Sequence, residues 1–106
     1  MPNKNYIRGR ALEYKVKKAY EKEGALVIRS AGSHSPVDLV VIFGDQIRLI
    51  QLKRCKNGAK YDYRGDLKYL TEIPVPFGVE KELQIHEDGG GVKIFNGREY
   101  ENSKEM

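Results

Sequence analysis

Early in the chain, apolar residues return every three or four positions. Leu12, Val16, Ala19 and Tyr20 recur among Lys, Arg and Glu across residues 6–23, the period of a helix with one buried stripe. Gly24 follows where a helix C-cap belongs. The pattern then shortens. Residues 25–30 form a brief β-branched stretch, and residues 31–36 (Ala-Gly-Ser-His-Ser-Pro) read as a turn-rich loop. Residues 37–43 and 46–53 are two strongly β-prone runs, and Gly44-Asp45 between them suits a two-residue type II′ turn, so they are expected to pair antiparallel. Beyond Lys53, a polar loop containing Gly58 leads to a short helix expected over residues 65–72 and stopped by Pro74 and Pro76. Residues 82–94 carry apolar positions on both sides of an Asp-Gly-Gly-Gly turn at 88–91, which predicts a second hairpin or a pair of late strands. The polar stretch 99–106 is expected to fray.

Composition narrows the class. At 106 residues the chain suits one domain with one core. With 40% hydrophobic and 32% charged residues it reads as a globular protein, and no apolar run approaches the roughly 20 residues that cross a bilayer. Residues 1–10 are polar and basic with no apolar core of a signal peptide, so a cytoplasmic location without membrane contact is expected. A single cysteine, Cys55, allows neither an internal disulfide nor a cysteine-rich zinc site. Nineteen Lys and Arg against fifteen Asp and Glu give a net charge of +4. The bases gather at residues 8–18 and 53–64 and the acids around 80–88, a bias that suggests one basic face for a polyanion.

The first hairpin brings candidate chemistry together. With Gly44 and Asp45 as the loop, Phe43 faces Gln46, and pairing outward sets Asp38 opposite Gln51. Alternation along each strand then puts Ile47, Leu49, Gln51 and Lys53 on one face with Asp38, Val40 and Ile42. An apolar face thus ends in three polar groups. Oxygen donors for a hard cation and an ammonium beside them are what metal-assisted phosphodiester hydrolysis requires. Asp38 would anchor the metal, the Gln51 carbonyl would take a further ligand position, and Lys53 would orient water or offset charge at phosphorus. Glu13, beside the helix stripe, would complete the carboxylate set. Taken singly, each has an ordinary alternative: Asp38 as a turn residue, Gln51 and Lys53 as strand-edge polar groups, Glu13 as a solvated helix residue.

Beyond these patterns, the run Gly9, Arg10, Ala11, Leu12, Glu13, the helix to Gly24, the segment 27–33 (Val-Ile-Arg-Ser-Ala-Gly-Ser), Val37-Asp38-Leu39-Val40 and Ile50-Gln51-Leu52-Lys53 resemble the archaeal Holliday junction resolvases, nucleases of the PD-(D/E)xK type. The resemblance covers roughly the first half of the chain. It implies an α/β, restriction-endonuclease-like core: a mixed β-sheet flanked by helices, with an N-terminal helix followed by a three-stranded meander. It implies Glu13, Asp38, Gln51 and Lys53 as the active-site set, with Glu13, Asp38 and Gln51 as metal ligands for Mg²⁺, or Mn²⁺ in its place. The stretch Arg29 to Ser33 is similar to the family's loop for substrate binding and catalysis, which brings in Ser30 and Ser33. Gln51 departs from the usual Glu or Asp and removes one negative charge from the metal site. Gln-x-Lys variants occur in related virus-type replication-repair nuclease modules of the superfamily. The later half shows no clear counterpart of the resolvases' last helix and strands.

Basic residues flank the proposed site. Arg8 and Arg10 precede the helix stripe, Arg29 precedes the loop, and Arg54 and Lys56 follow Lys53, positions from which phosphates can be neutralised without reading sequence. His34 is a candidate for a backbone contact or proton transfer. Tyr61, Tyr63 and Tyr69 interleave with Lys60, Arg64 and Lys68, either as a stacking surface for unpaired bases or as core and interface residues. The expectation is a Mg²⁺-dependent endodeoxyribonuclease cutting branched DNA, foremost the four-way junction, as a two-fold homodimer with paired sites. The alternatives are a nuclease of the same fold for flaps or single strands, and a DNA-binding module that lost catalysis through the amide at Gln51.

Overall fold

The computed structural model describes residues 4–30, 36–56, 62–76 and 78–96, with the side chains of the first helix described from Gly9 onward. That helix, α1 (Lys4–Lys22), is followed by β1 (Leu26–Arg29), β2 (Leu39–Phe43) and β3 (Gln46–Cys55), then α2 (Arg64–Thr71), β4 (Val79–Glu87) and β5 (Val92–Asn96). The five strands form one sheet in the order β1-β2-β3-β4-β5. Pairing is antiparallel throughout except between β3 and β4, which run parallel across the α2 connection. A parallel pair needs a crossover longer than a hairpin turn, and α2 supplies it.

The expected elements are present, with shifted ends. Gly24 closes α1 with φ +98°, the left-handed conformation a residue without Cβ adopts freely. Gly44 has φ +59° while Asp45 stays at negative φ, as a type II′ turn requires, and Phe43 pairs with Gln46. β3 runs two residues beyond the expected end, to Cys55, because β4 pairs with it as far as Cys55↔Glu87. The second hairpin is real: β4 and β5 turn at Gly90, φ +102°.

Each face of the sheet carries one helix. Leu12 and Val16 of α1 pack on Val27, Leu39, Val41, Ile50 and Leu52, with Tyr20 at the margin; Ala19, expected in the stripe, is exposed. Leu67 and Leu70 of α2 pack on Leu83 and Ile85 from the opposite face. Register and alternation therefore put Gln51 and Lys53 on the α2 face, whereas α1 lies on the other. On the α2 face, two apolar rows run across the sheet away from that helix: Leu26–Ile42–Ile47–Val79 and Ile28–Val40–Leu49. Leu26 and Ile28 are 59% and 52% exposed. The polar residues lie at the end of these rows. Under α1, the buried Gln84 donates to Glu82 Oε2 (2.6 Å) and Tyr20 Oη (3.2 Å), so its amide is satisfied.

Candidate active site

β2 and β3 set the centre of the site. The Asp38 amide donates to the Ile50 carbonyl (2.8 Å), one residue out of step with the last ladder pair, Leu39↔Ile50, so Asp38 sits at an irregular start of β2 and is still tied to β3. Its carboxylate accepts from the Leu52 amide (Oδ2, 2.7 Å), so a β3 backbone group fixes the side chain. Burial pushes the Asp38 carboxyl above its ordinary value, against the Leu52 hydrogen bond and the charges of Lys53 and Arg29, which favour the ionised form.

Gln51 is 7% exposed, and its Oε1 has no hydrogen-bond partner among the described residues. A buried acceptor without a donor costs about 1–3 kcal/mol. Such an oxygen has the chemistry a hard cation takes as a ligand. Among the described residues no group of three His, Cys, Asp or Glu is placed to hold a metal.

Glu13 approaches from α1, on the other side of the sheet end. Burial raises its pKa first, and the Asp38 charge adds to that, while Arg29 opposes both. Arg29 Nη2 lies 3.4 Å from Glu13 Oε2, and its guanidinium stands 5.0 Å from the Tyr14 ring centroid; Arg10 stands 5.6 Å from the same ring. The Arg29 Nε is buried and unpartnered among the described residues. Arg29 is thus drawn inward as a countercharge to the carboxylates, a contact absent from the sequence reading. Tyr14 and Asp66 carry no motif signal in the sequence; Asp66 Oδ1 of α2 lies 3.7 Å from the Lys53 ammonium.

The other candidates are more scattered. Ser33 and His34 lie outside the described residues, as do Lys60 and Tyr61, and the Arg8 side chain is not described. Ser30 caps the β1 ladder, donating its amide to the Asp38 carbonyl (2.9 Å). Arg54 is ion-paired with Asp88 at 2.7 Å, and Lys56 is exposed. Tyr63 stacks on Phe95 at 4.1 Å between centroids, at the edge of the α2 core, which settles its structural role; Tyr69 is exposed. A cleft of about 300 Å³ between α1 and the β4–β5 turn, lined in part by Lys15, Arg54 and His86, contains none of Glu13, Asp38, Gln51 or Lys53.

Glu13 and Asp38 interact through their charges, as do Asp38 and Lys53, and Gln51 lies two residues before Lys53 on the same strand. The chain matches the family model of the archaeal Holliday junction resolvases (Hjc) across residues 4–106. It belongs to that family. The match takes in the later half, where no motif was legible. This Hjc-family chain is also similar to the crossover junction endodeoxyribonuclease Hjc of Methanocaldococcus jannaschii, with 32% identity over 84 residues, covering 79% of this chain and 62% of that protein. The chain therefore spans less than two thirds of that relative's length. Among the described residues, no helix is long and apolar enough to cross a membrane.

Proposed function

We propose that this chain is a divalent-metal-dependent endodeoxyribonuclease that resolves Holliday junctions, folded as one nuclease domain and acting with DNA in the cytoplasm. The observation that carries the reading is the buried Gln51 Oε1, unpartnered among the described residues, next in β3 to the Leu52 amide that holds Asp38, whose charge interacts with Glu13 and Lys53, in a chain of the resolvase family. Glu13, Asp38 and Gln51 would hold Mg²⁺, or Mn²⁺. When bound, the cation supplies Lewis-acid polarisation of a phosphoryl oxygen and a more acidic water. The protein's own groups do the rest. Leu52 N–H orients the Asp38 carboxylate, Lys53 offers an ammonium to charge developing on the phosphate, and Arg29 balances the carboxylates from the α1 side. Arg8, Arg10, Arg54 and Lys56, with Ser30, Ser33 and His34 around the loop, are the proposed DNA contacts.

Junction resolution needs two symmetric incisions, which two copies related by a two-fold axis provide. The exposed rows around Leu26, Ile28 and Ile47 are proposed as the surface that buries against the second copy, since contiguous apolar surface on a sheet face favours association. The deciding experiment is cleavage of synthetic four-way, flap, single-stranded and duplex DNA with Mg²⁺, Mn²⁺ or EDTA. Paired, metal-dependent cuts confined to the four-way junction are expected. Junction binding without cleavage would instead identify a non-catalytic module, and preference for flaps or single strands would identify a different nuclease.

A further inference from the structure

We propose that Asp66 is the positioning residue for the Lys53 ammonium, an inference that rests on the nuclease reading above. Lys53 stands on β3 at the open end of the sheet, with its side chain 36% exposed. A lysine ammonium on four rotatable carbons has no fixed place of its own, and a catalytic cation must have one. Asp66 Oδ1 lies 3.7 Å from Lys53 Nζ, with the Asp66 side chain 24% exposed. Its own backbone is anchored. The next residue, Leu67, is 2% exposed and Leu70 is fully buried, both against Leu83 and Ile85 of β4. Ile85 pairs with Lys53 itself, so the docking of α2 fixes the carboxylate relative to the strand that carries the lysine.

The amide at position 51 gives this arrangement its purpose. Gln51 and Lys53 share a strand face, and an acid at 51 would place a negative charge beside the lysine. Gln51 offers none. Among the described residues, Asp38 and Asp66, on opposite sides of it in the chain, are carboxylates that interact with Lys53. Asp66 also sits in the first turn of α2, where an acid favours the helix dipole, and the N-cap Tyr63 makes no side-chain cap bond. A helix-start role alone would show in stability. A positioning role shows in turnover, because a partly exposed ion pair contributes little to folding.

The test is single-turnover cleavage of a four-way junction over a range of protein concentrations with Mg²⁺, for wild type and Asp66→Ala, Asp66→Asn and Asp66→Glu. Thermal unfolding and ¹⁵N relaxation of the Lys53 Nζ are measured on the same proteins. Asp66→Ala and Asp66→Asn are expected to slow the maximal rate about 10–100-fold, the range for losing a group that orients an active-site residue, with half-saturation unchanged. Asp66→Glu is expected to recover most of the rate. The Lys53 ammonium becomes more mobile in the Ala and Asn variants. A folded Asp66→Ala protein with the wild-type maximal rate, or with unchanged Lys53 mobility, overturns the proposal. Failure of the wild type to cut any junction overturns the nuclease reading instead, and the Nζ relaxation still decides whether Asp66 orders Lys53.

Discussion

Asp38 carries opposed demands: its carboxylate is held by the Leu52 amide for use, yet burial disfavours its charge. The folded pKa lies above the unfolded one, so folding takes up a proton between those values. The resulting cost to stability is absent below the unfolded value and full above the folded value. Asp38→Asn keeps an acceptor for Leu52 and removes the charge. Metal-free Asp38→Asn is therefore expected to melt above wild type at pH 7, with the gap closing as pH falls toward about 4 and gone below it, measured by calorimetry across pH. In the same variant, junction cleavage is expected to drop about a thousandfold while junction binding persists, because several kcal/mol of charge stabilisation is lost but no phosphate-binding cation. A lower melting point at pH 7 would reverse the burial argument, and wild-type cleavage would remove Asp38 from the site. Gln51→Glu restores a charge on a nearly isosteric side chain. It should lower the Mg²⁺ concentration for half-maximal cleavage, and identical Mg²⁺ titrations for the two proteins would separate Gln51 from the metal.

Between elements, what could be read from sequence depended on how local the determinant was. The hairpin register follows from Gly44-Asp45 and side-chain alternation, both local, and holds from Phe43↔Gln46 to Leu39↔Ile50; at Asp38 the backbone bond to Ile50 steps one residue out of it, which no local pattern encodes. Gly44→Val would place a β-branched residue at φ +59° and is expected to cost about 1–2 kcal/mol, read as a lower denaturant midpoint at unchanged slope. A midpoint equal to wild type would show that the turn does not depend on that conformation. The meeting of Asp66 with Lys53 was illegible, because it depends on α2 docking and on the parallel β3–β4 pairing, whose partners are separated by the whole crossover. In sequence Arg29 adjoins a loop, which suits a phosphate contact. Its contact with Glu13 requires α1 to cross the end of the sheet, which no periodicity encodes. The helix stripe likewise points to Leu12 and Val16 as what α1 buries, though Ala19 is exposed, but not to which face of the sheet receives them.

For the molecule as a whole, the exposed rows around Leu26, Ile28 and Ile47 test the paired assembly. Ile28→Glu sits at a half-exposed position on the edge strand β1, so the single chain should still fold. In a dimer closed over this face, each copy would bury an unpaired carboxylate, weakening association about 100-fold or more. Sedimentation equilibrium should give twice the chain mass for wild type and the single-chain mass for Ile28→Glu. Equal masses would move the interface elsewhere. The strand order has one more consequence. Among the described residues, β3 is third of five strands and bonded to neighbours on both sides, while β1 and β5 are the outermost. Amide protons exchange with solvent when the bonds that hold them open, and the outer strands can open without disturbing the middle one. In deuterated water the protons of β1 and β5 should therefore be replaced first, and those of Ile50 and Gln51 among the last, so the strand that bears the proposed site is still closed when the margins of the sheet have already opened.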